Sequence, residues 1–257
     1  MTDTIILLHG FPESSASWRH VTPLLTGAGY RVLAPDQRGY AADARPTRRR
    51  DYTLDKLASD VLALADAEGV ERFHVVGHDW GGAVAWYLAA NHAERVRTLT
   101  SLATPHPKAM VASLLRGQLL KSWYMLAFQL PILPELAVRG PFFRRQLLRS
   151  GMPDEFVDEY LALLRQPGAA RGALNWYRAL PFSPPSAVGV VRVPTLYVYG
   201  TDDIALGRAA ADRTGDYVAA PYRYEVLDGV SHWIPEEVPE RVAALVLDFI
   251  GTVAVDR

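Results

Sequence analysis

Asp79 stands in Gly77-His78-Asp79-Trp80-Gly81-Gly82, after the apolar run that begins at Phe73 and before a helical pattern. A strand that turns sharply into a helix needs small residues on both sides of the turn. The residue at the apex is then strained, with its side chain thrust above the strand ends, as in a nucleophile elbow. Here the apex is a carboxylate. The backbone N–H groups that open the helix favour its ionised form. An ionised carboxylate can attack a saturated carbon that bears a leaving group and form an ester, whereas serine would suit acyl transfer. An Asp before a helix can also simply cap it. Chain order argues for more. Asp203 follows the run Thr195 to Gly200, and His232 follows the run Tyr222 to Leu227, which gives nucleophile, acid and histidine in sequence. Because Asp79 is already ionised, the expected task of His232 is to activate the water that hydrolyses the ester, oriented by Asp203. A loop after the first apolar run, His9-Gly10-Phe11-Pro12-Glu13, can present the Phe11 N–H beside that of Trp80. The pair would form an oxyanion hole, although the loop alone reads as a turn at a strand end.

These residues need a sheet to position them. Short β-branched or aliphatic runs at Ile5–Leu8, Tyr30–Ala34, Phe73–Gly77, Val96–Leu102, Thr195–Gly200 and Tyr222–Leu227 alternate with helical patterns such as Leu54, Leu57, Val61 and Leu64. Alternation of this kind predicts an α/β fold with an open, mostly parallel sheet and right-handed crossovers. From about Pro107 to Pro185 the rhythm changes to helical patterns alone: Met110–Leu120, Trp123–Leu130, Phe142–Leu148, Asp154–Leu164 and Ala169–Leu180, punctuated by prolines. A crossover rarely needs that length. An all-helical lid over the strand ends is expected, with residues 1–106 and 186–257 forming the two parts of the core and 107–185 the insertion.

The 257 residues carry 27 Lys and Arg against 28 Asp and Glu, and 49% are hydrophobic. That composition supplies a full core and lacks the basic excess of a nucleic-acid or anionic-membrane binder. With no cysteine there is neither a disulfide nor a thiolate site. No metal-ligand spacing or phosphate-binding glycine loop is present, so no metal and no cofactor are expected. His20 and His92 are isolated, and the arginines at 45, 48–50, 144, 145 and 149 read as solvated surface. The N-terminus lacks a positive segment before its short apolar run, and no stretch is apolar enough to span a membrane. A cytoplasmic protein is expected.

The sequence resembles an α/β-hydrolase-fold protein of the epoxide hydrolase type over essentially the whole chain. His9-Gly10-Phe11-Pro12-Glu13, Trp18, His78-Asp79-Trp80-Gly81-Gly82 and Asn175-Trp176-Tyr177-Arg178 carry the resemblance. It implies that Tyr177 and, by a looser match, Tyr124 are lid tyrosines that grip an epoxide oxygen; packing of the lid is their bland alternative. It also selects Asp203 over Asp202 as the acid. Two departures stand out. Three residues precede the Thr4–Leu8 strand, where the family has a pair of antiparallel strands, so a shortened sheet edge is expected. The loop Asp36–Asp43 also lacks the small Gly and Ser usual late in it, so an altered conformation is expected there.

Two phenols suit an epoxide. Ring opening develops an alkoxide, which takes a proton from a phenol of pKa about 10 in a downhill step. A halide needs no such proton. The expected reaction is hydrolysis of a small, mostly apolar epoxide to a vicinal diol, with lid residues Trp123, Met125, Phe128, Trp176 and Leu180 facing the substrate. The alternatives are a dehalogenase with the same nucleophile and a non-catalytic binding protein on the same fold. After the fourth run, Ala103-Thr104-Pro105-His106-Pro107 offers no carboxylate, which excludes an acid placed there, as in some dehalogenases.

Overall fold

The computed structural model describes residues 2–113 and 123–255. Six strands form one sheet: β1 (Thr4–Leu8), β2 (Arg31–Leu33), β3 (Phe73–His78), β4 (Val96–Leu102), β5 (Thr195–Gly200) and β6 (Tyr222–Leu227). Their order is β2-β1-β3-β4-β5-β6, and every pairing among them is parallel. Register follows from pairs such as Ile6 with Val75 and Leu8 with Gly77. β1, β3 and β5 are buried along their whole length, because helices cover both faces of a parallel sheet and a continuous apolar run is what such strands require. At the two edges β2 and β6 are partly exposed and more polar.

Successive side chains of β1 enter different cores, as the period of two demands. Ile5 and Leu7 pack with Val21 and Leu25 of α1 (Val21–Gly27), and with Val242, Leu245, Val246 and Phe249 of the C-terminal helix. Ile6 and Leu8 join the opposite core, with Leu57 and Val61 of α2 (Leu54–Ala67) and Val84, Trp86 and Leu88 of α3 (Trp80–Asn91). The exposed side of α2 is polar, whereas α3 is apolar nearly all round because it lies sandwiched inside the fold. Each fully buried large side chain contributes about 1.5–3 kcal/mol.

Between β4 and β5 the described chain contains helices and no strand. α4 (Pro107–Ala112) starts at His106, whose ring accepts from the Lys108 N–H. α5 (Trp123–Ala127), α6 (Leu133–Ala137), α7 (Pro141–Arg149), α8 (Asp154–Arg165) and α9 (Ala169–Arg178) follow. The helical pattern predicted for Met110–Leu120 lies mostly outside the described residues, and the other four predicted segments overlap α5, α7, α8 and α9. Prolines at the first or second positions of α4, α6 and α7 fit helix starts, where the missing N–H costs nothing. Phe156, Val157, Tyr160 and Leu161 of α8 form a third cluster with Leu147, Met152 and Trp233. After β5 come α10 (Arg208–Ala211), α11 (Ile234–Glu237) and α12 (Pro239–Val255). Among the described residues no helix is long and apolar enough to cross a membrane.

The chain begins in β1, steps out to β2 and returns across β1 to β3, so the direction of winding reverses between β1 and β3. Open α/β sheets bind ligands beyond the carboxyl ends of their strands at such a point.

Candidate active site

Asp79 occupies the turn from β3 into α3 with φ 47° and ψ −119°, a conformation that costs a non-glycine residue about 1–3 kcal/mol. Neighbouring backbone over-determines it. A Cβ on Gly77 would strike the carbonyl of Gly81, one on Gly81 the carbonyl of Leu8, and one on Gly10 the side chain of Asp79 itself. The Thr104 hydroxyl donates to the Asp79 carbonyl at 2.7 Å. The Phe11 N–H donates to Asp79 Oδ1 at 2.9 Å. Trp80 opens α3, and its N–H belongs to the first turn, which has no intrahelical acceptor. Of the two predicted oxyanion donors, the Phe11 N–H touches the carboxylate and the Trp80 N–H opens the helix that follows it.

Asp203 and His232 follow the ends of β5 and β6 and lie at the same edge. Asp203 Oδ1 accepts from the N–H groups of Ala205 and Leu206 at 2.7 and 2.8 Å, and its Oδ2 is 2.7 Å from His232 Nδ1. A carboxylate oxygen there requires a proton on Nδ1. That leaves Nε2 facing Asp79 Oδ2, 3.5 Å away. Burial opposes charging of His232, but the Asp203 charge and hydrogen bond, with Asp79 added, raise its pKa well above the ordinary value. Burial likewise opposes ionisation of Asp79. The His232 contact, the His78 charge and the Phe11 N–H outweigh it and hold the carboxyl below its usual range. Asp202, the rival acid, is exposed and bonds Thr201.

A cavity of about 680 Å³ opens above Asp79 and His232. Its walls include Phe11, Tyr124, Phe128, Leu133, Phe143 and Tyr177. The rings of Tyr124 and Tyr177 lie 6.0 Å apart, and Tyr177 packs edge-on against Trp80 and Phe11 at 5.0 and 5.2 Å. Burial, with Asp79 nearby, pushes both phenols above 10; the neighbouring Tyr124 adds to the effect on Tyr177, and Asp203 adds to that on Tyr124. Both therefore hold their protons at neutral pH. The segment around Tyr177 is fastened residue by residue. Trp176 Nε1 donates to the Arg38 carbonyl at 2.8 Å, Arg178 forks onto Glu135 at 2.7 and 3.1 Å, and Gln129 donates to the Tyr177 carbonyl at 2.8 Å. Of the apolar residues expected at the substrate, Phe128 lines the cavity. Trp176 instead turns inward against Tyr40 and Trp80, where its indole N–H finds an acceptor. The side chain of Trp123 lies outside the described structure.

Sequence reasoning did not anticipate what lies beneath His232. His78 is fully buried; its Nε2 is 2.8 Å from the His232 carbonyl and its Nδ1 is 2.8 Å from Glu13 Oε1. Glu13 Oε2 accepts from the Gly10 N–H at 2.7 Å. Glu236 of α11 completes the group and accepts at Oε1 from the Tyr160 hydroxyl of α8 at 2.9 Å. One atom from each of Glu13, His78 and Glu236 lies within 4.8 Å of the others. Glu13 and His78 sit inside the motifs already noted, but nothing local in the sequence links them to Glu236.

A strained carboxylate at the end of a central parallel strand, backed by a histidine–carboxylate pair, is the arrangement of the α/β hydrolases. A family model described as the alpha/beta hydrolase fold matches residues 3–239, and the chain belongs to that family. Within it the similarity points further. The chain is 38% identical to the AB hydrolase superfamily protein YfhM of Bacillus subtilis and 33% identical to Epoxide hydrolase A of Mycobacterium tuberculosis, in each case over 96% of this chain and 89% of the relative. The crystal structure of Epoxide Hydrolase A from Mycobacterium thermoresistibile superposes with a TM-score of 0.83 at 30% identity, covering 96% of this chain and 90% of that one.

Proposed function

We propose that the protein hydrolyses an epoxide to a vicinal diol through an ester on Asp79, with residues 107–185 acting as a lid over the site. Asp79 attacks a ring carbon, the C–O bond breaks, and the alkoxide takes a proton from Tyr124 or Tyr177. His232 then takes a proton from water, and the hydroxide adds to the ester carbonyl. The N–H groups of Phe11 and Trp80 hold the resulting oxyanion. Collapse expels the diol, which receives the proton from His232. The new Asp79 carboxylic acid loses its proton, which returns through water to the phenolate. Asp203 keeps the His232 proton on Nδ1 throughout and supports the imidazolium.

The observation that carries this reading is the placement of Asp79. Its carboxylate lies against the Phe11 N–H on one side and His232 Nε2 on the other, beneath two protonated phenols in an apolar cavity. The names of the relatives point the same way. The test is a single turnover in oxygen-18 water with a panel of aryl and alkyl oxiranes beside haloalkanes. Diol is expected, with the label first entering the Asp79 carboxylate. Label that enters only the diol would rule out the ester, and halide release without diol from any oxirane would favour a dehalogenase.

A further inference from the structure

The Glu13–His78–Glu236 group has more acceptors than neutral donors can satisfy. His78 Nε2 meets a carbonyl and so carries a proton. Its Nδ1 lies 2.8 Å from Glu13 Oε1, and that carboxyl favours the charged form of the ring against the effect of burial. Within the group His78 is the one side chain that can carry a positive charge. Glu236 is 5% exposed, already accepts from Tyr160, and has its Oε2 buried without a hydrogen-bond partner. Glu13 Oε1 is likewise buried and lacks a well-directed hydrogen bond. A second full negative charge here would have no counter-ion, because two carboxyls this close and this dry cannot both ionise.

The position matters because each partner holds a piece of the candidate site. Glu13 closes the turn that presents the Phe11 N–H, through Gly10 N–H to Glu13 Oε2 and Glu13 N–H to the Gly10 carbonyl at 3.2 Å. His78 holds the His232 carbonyl, Glu236 lies four residues after His232, and Tyr160 comes from the helices between β4 and β5. Trp233 makes a parallel link to those helices, its indole N–H donating to Ser150 at 2.9 Å.

We propose that Glu236 is a positioning residue that works as an un-ionised carboxylic acid, packed beside Glu13 and His78 and tying the His232 loop to the overlying helix α8. Its ionisation sets the alkaline limit of turnover. This rests on the epoxide-hydrolase reading for its kinetic arm alone. The groups that face Glu236 are Glu13 and His78 from the core and Tyr160 from α8. Glu237, on its own helix, is engaged by the Ser231 N–H and hydroxyl, and Arg19 reaches Tyr160 only through its charge and pairs with Glu159. Burial first, and then Glu13, push Glu236 up to about 8 against the pull of His78. The phenols of Tyr124, Tyr160 and Tyr177 are all pushed above 10, so none of them titrates in that range.

Two arms test this. In the kinetic arm, wild-type kcat should fall at least fivefold between pH 7.5 and 9.5 with KM changing less than twofold, because the apolar walls are untouched. Glu236→Gln keeps a neutral side chain that still accepts from Tyr160. It should stay within threefold of wild type at pH 7 and lose the alkaline fall. In the stability arm, urea unfolding is followed from pH 5.5 to 8.5 and needs no substrate. A carboxyl whose folded-state pKa is raised stabilises fully below its unfolded value, and that contribution is lost as pH rises through the folded value. The folding constant of wild type should therefore drop relative to Glu236→Gln by up to tenfold per pH unit until about pH 8. A wild-type-to-Gln ratio that does not change with pH overturns the proposal, whether or not any epoxide turns over. An alkaline fall in kcat that persists in Glu236→Gln overturns it too, while leaving the epoxide reading intact. If no epoxide is hydrolysed at any pH, that reading fails and the stability arm still decides the state of Glu236.

Discussion

Under the proposed mechanism Asp203→Asn should separate the two chemical steps. The amide can keep its oxygen on the Ala205 and Leu206 N–H groups, which hold Oδ1 at 2.7 and 2.8 Å, so the side chain stays in place. Its NH2 then faces His232 Nδ1 where a carboxylate oxygen stood at 2.7 Å. Two donors cannot share that contact, so the imidazole moves its proton to Nε2 and loses the lone pair that would receive the proton from water. The negative charge that supports the imidazolium disappears as well. General-base catalysis is worth about 10²–10⁴-fold. Losing both the base and its counter-charge places the expected fall in kcat near the top of that range, about 10³–10⁴-fold or roughly 4–5.5 kcal/mol. Ring opening as proposed uses the carboxylate of Asp79 and phenolic protons, so it should slow by less than about tenfold. Rapid mixing followed by intact-protein mass spectrometry should show about one equivalent of ester per enzyme, formed at close to the wild-type rate and then persisting. A variant that loses burst and steady-state rate equally, or keeps kcat within tenfold of wild type, would refute this division of labour.

Tyr177→Phe and Tyr124→Phe should each slow single-turnover ring opening by about 10²-fold, the usual cost of removing one donor from a developing oxyanion. Hydrolysis of a preformed ester should be little changed in either variant, and ring opening at the wild-type rate in both would remove the tyrosines from the chemistry. Gly81→Ala drives a methyl into the carbonyls of Leu8 and His9, which are backbone and cannot rotate away. Urea denaturation should register a loss of at least about 2 kcal/mol, and unchanged stability would mean that the elbow is looser than described.

Much of this molecule is legible along the chain. β1, β3 and β5 announce themselves as largely apolar runs because both their faces are covered, and most helical segments because one face is. The bracketing of Asp79 by Gly77 and Gly81 is local as well, since a tight strand-to-helix turn leaves no room for side chains at those positions. So is the chain order of Asp79, Asp203 and His232. What the sequence by itself determined was therefore the set of elements and the residues at their ends.

Only the tertiary structure decided which of those ends meet. Asp202 and Asp203 are adjacent and chemically alike, and they differ because one faces solvent while the other is buried against an imidazole. Trp176 and Tyr177 are neighbours on one helix, yet one indole turns inward to the Arg38 carbonyl while the next ring lines the cavity. Glu13, His78 and Glu236 carry no mutual signal at all, being 65 and 158 positions apart. Periodicity records whether a face is covered but not by what. Partners across the fold are set by strand order and by the docking of the inserted helices, which depend on contacts between residues far apart in the chain.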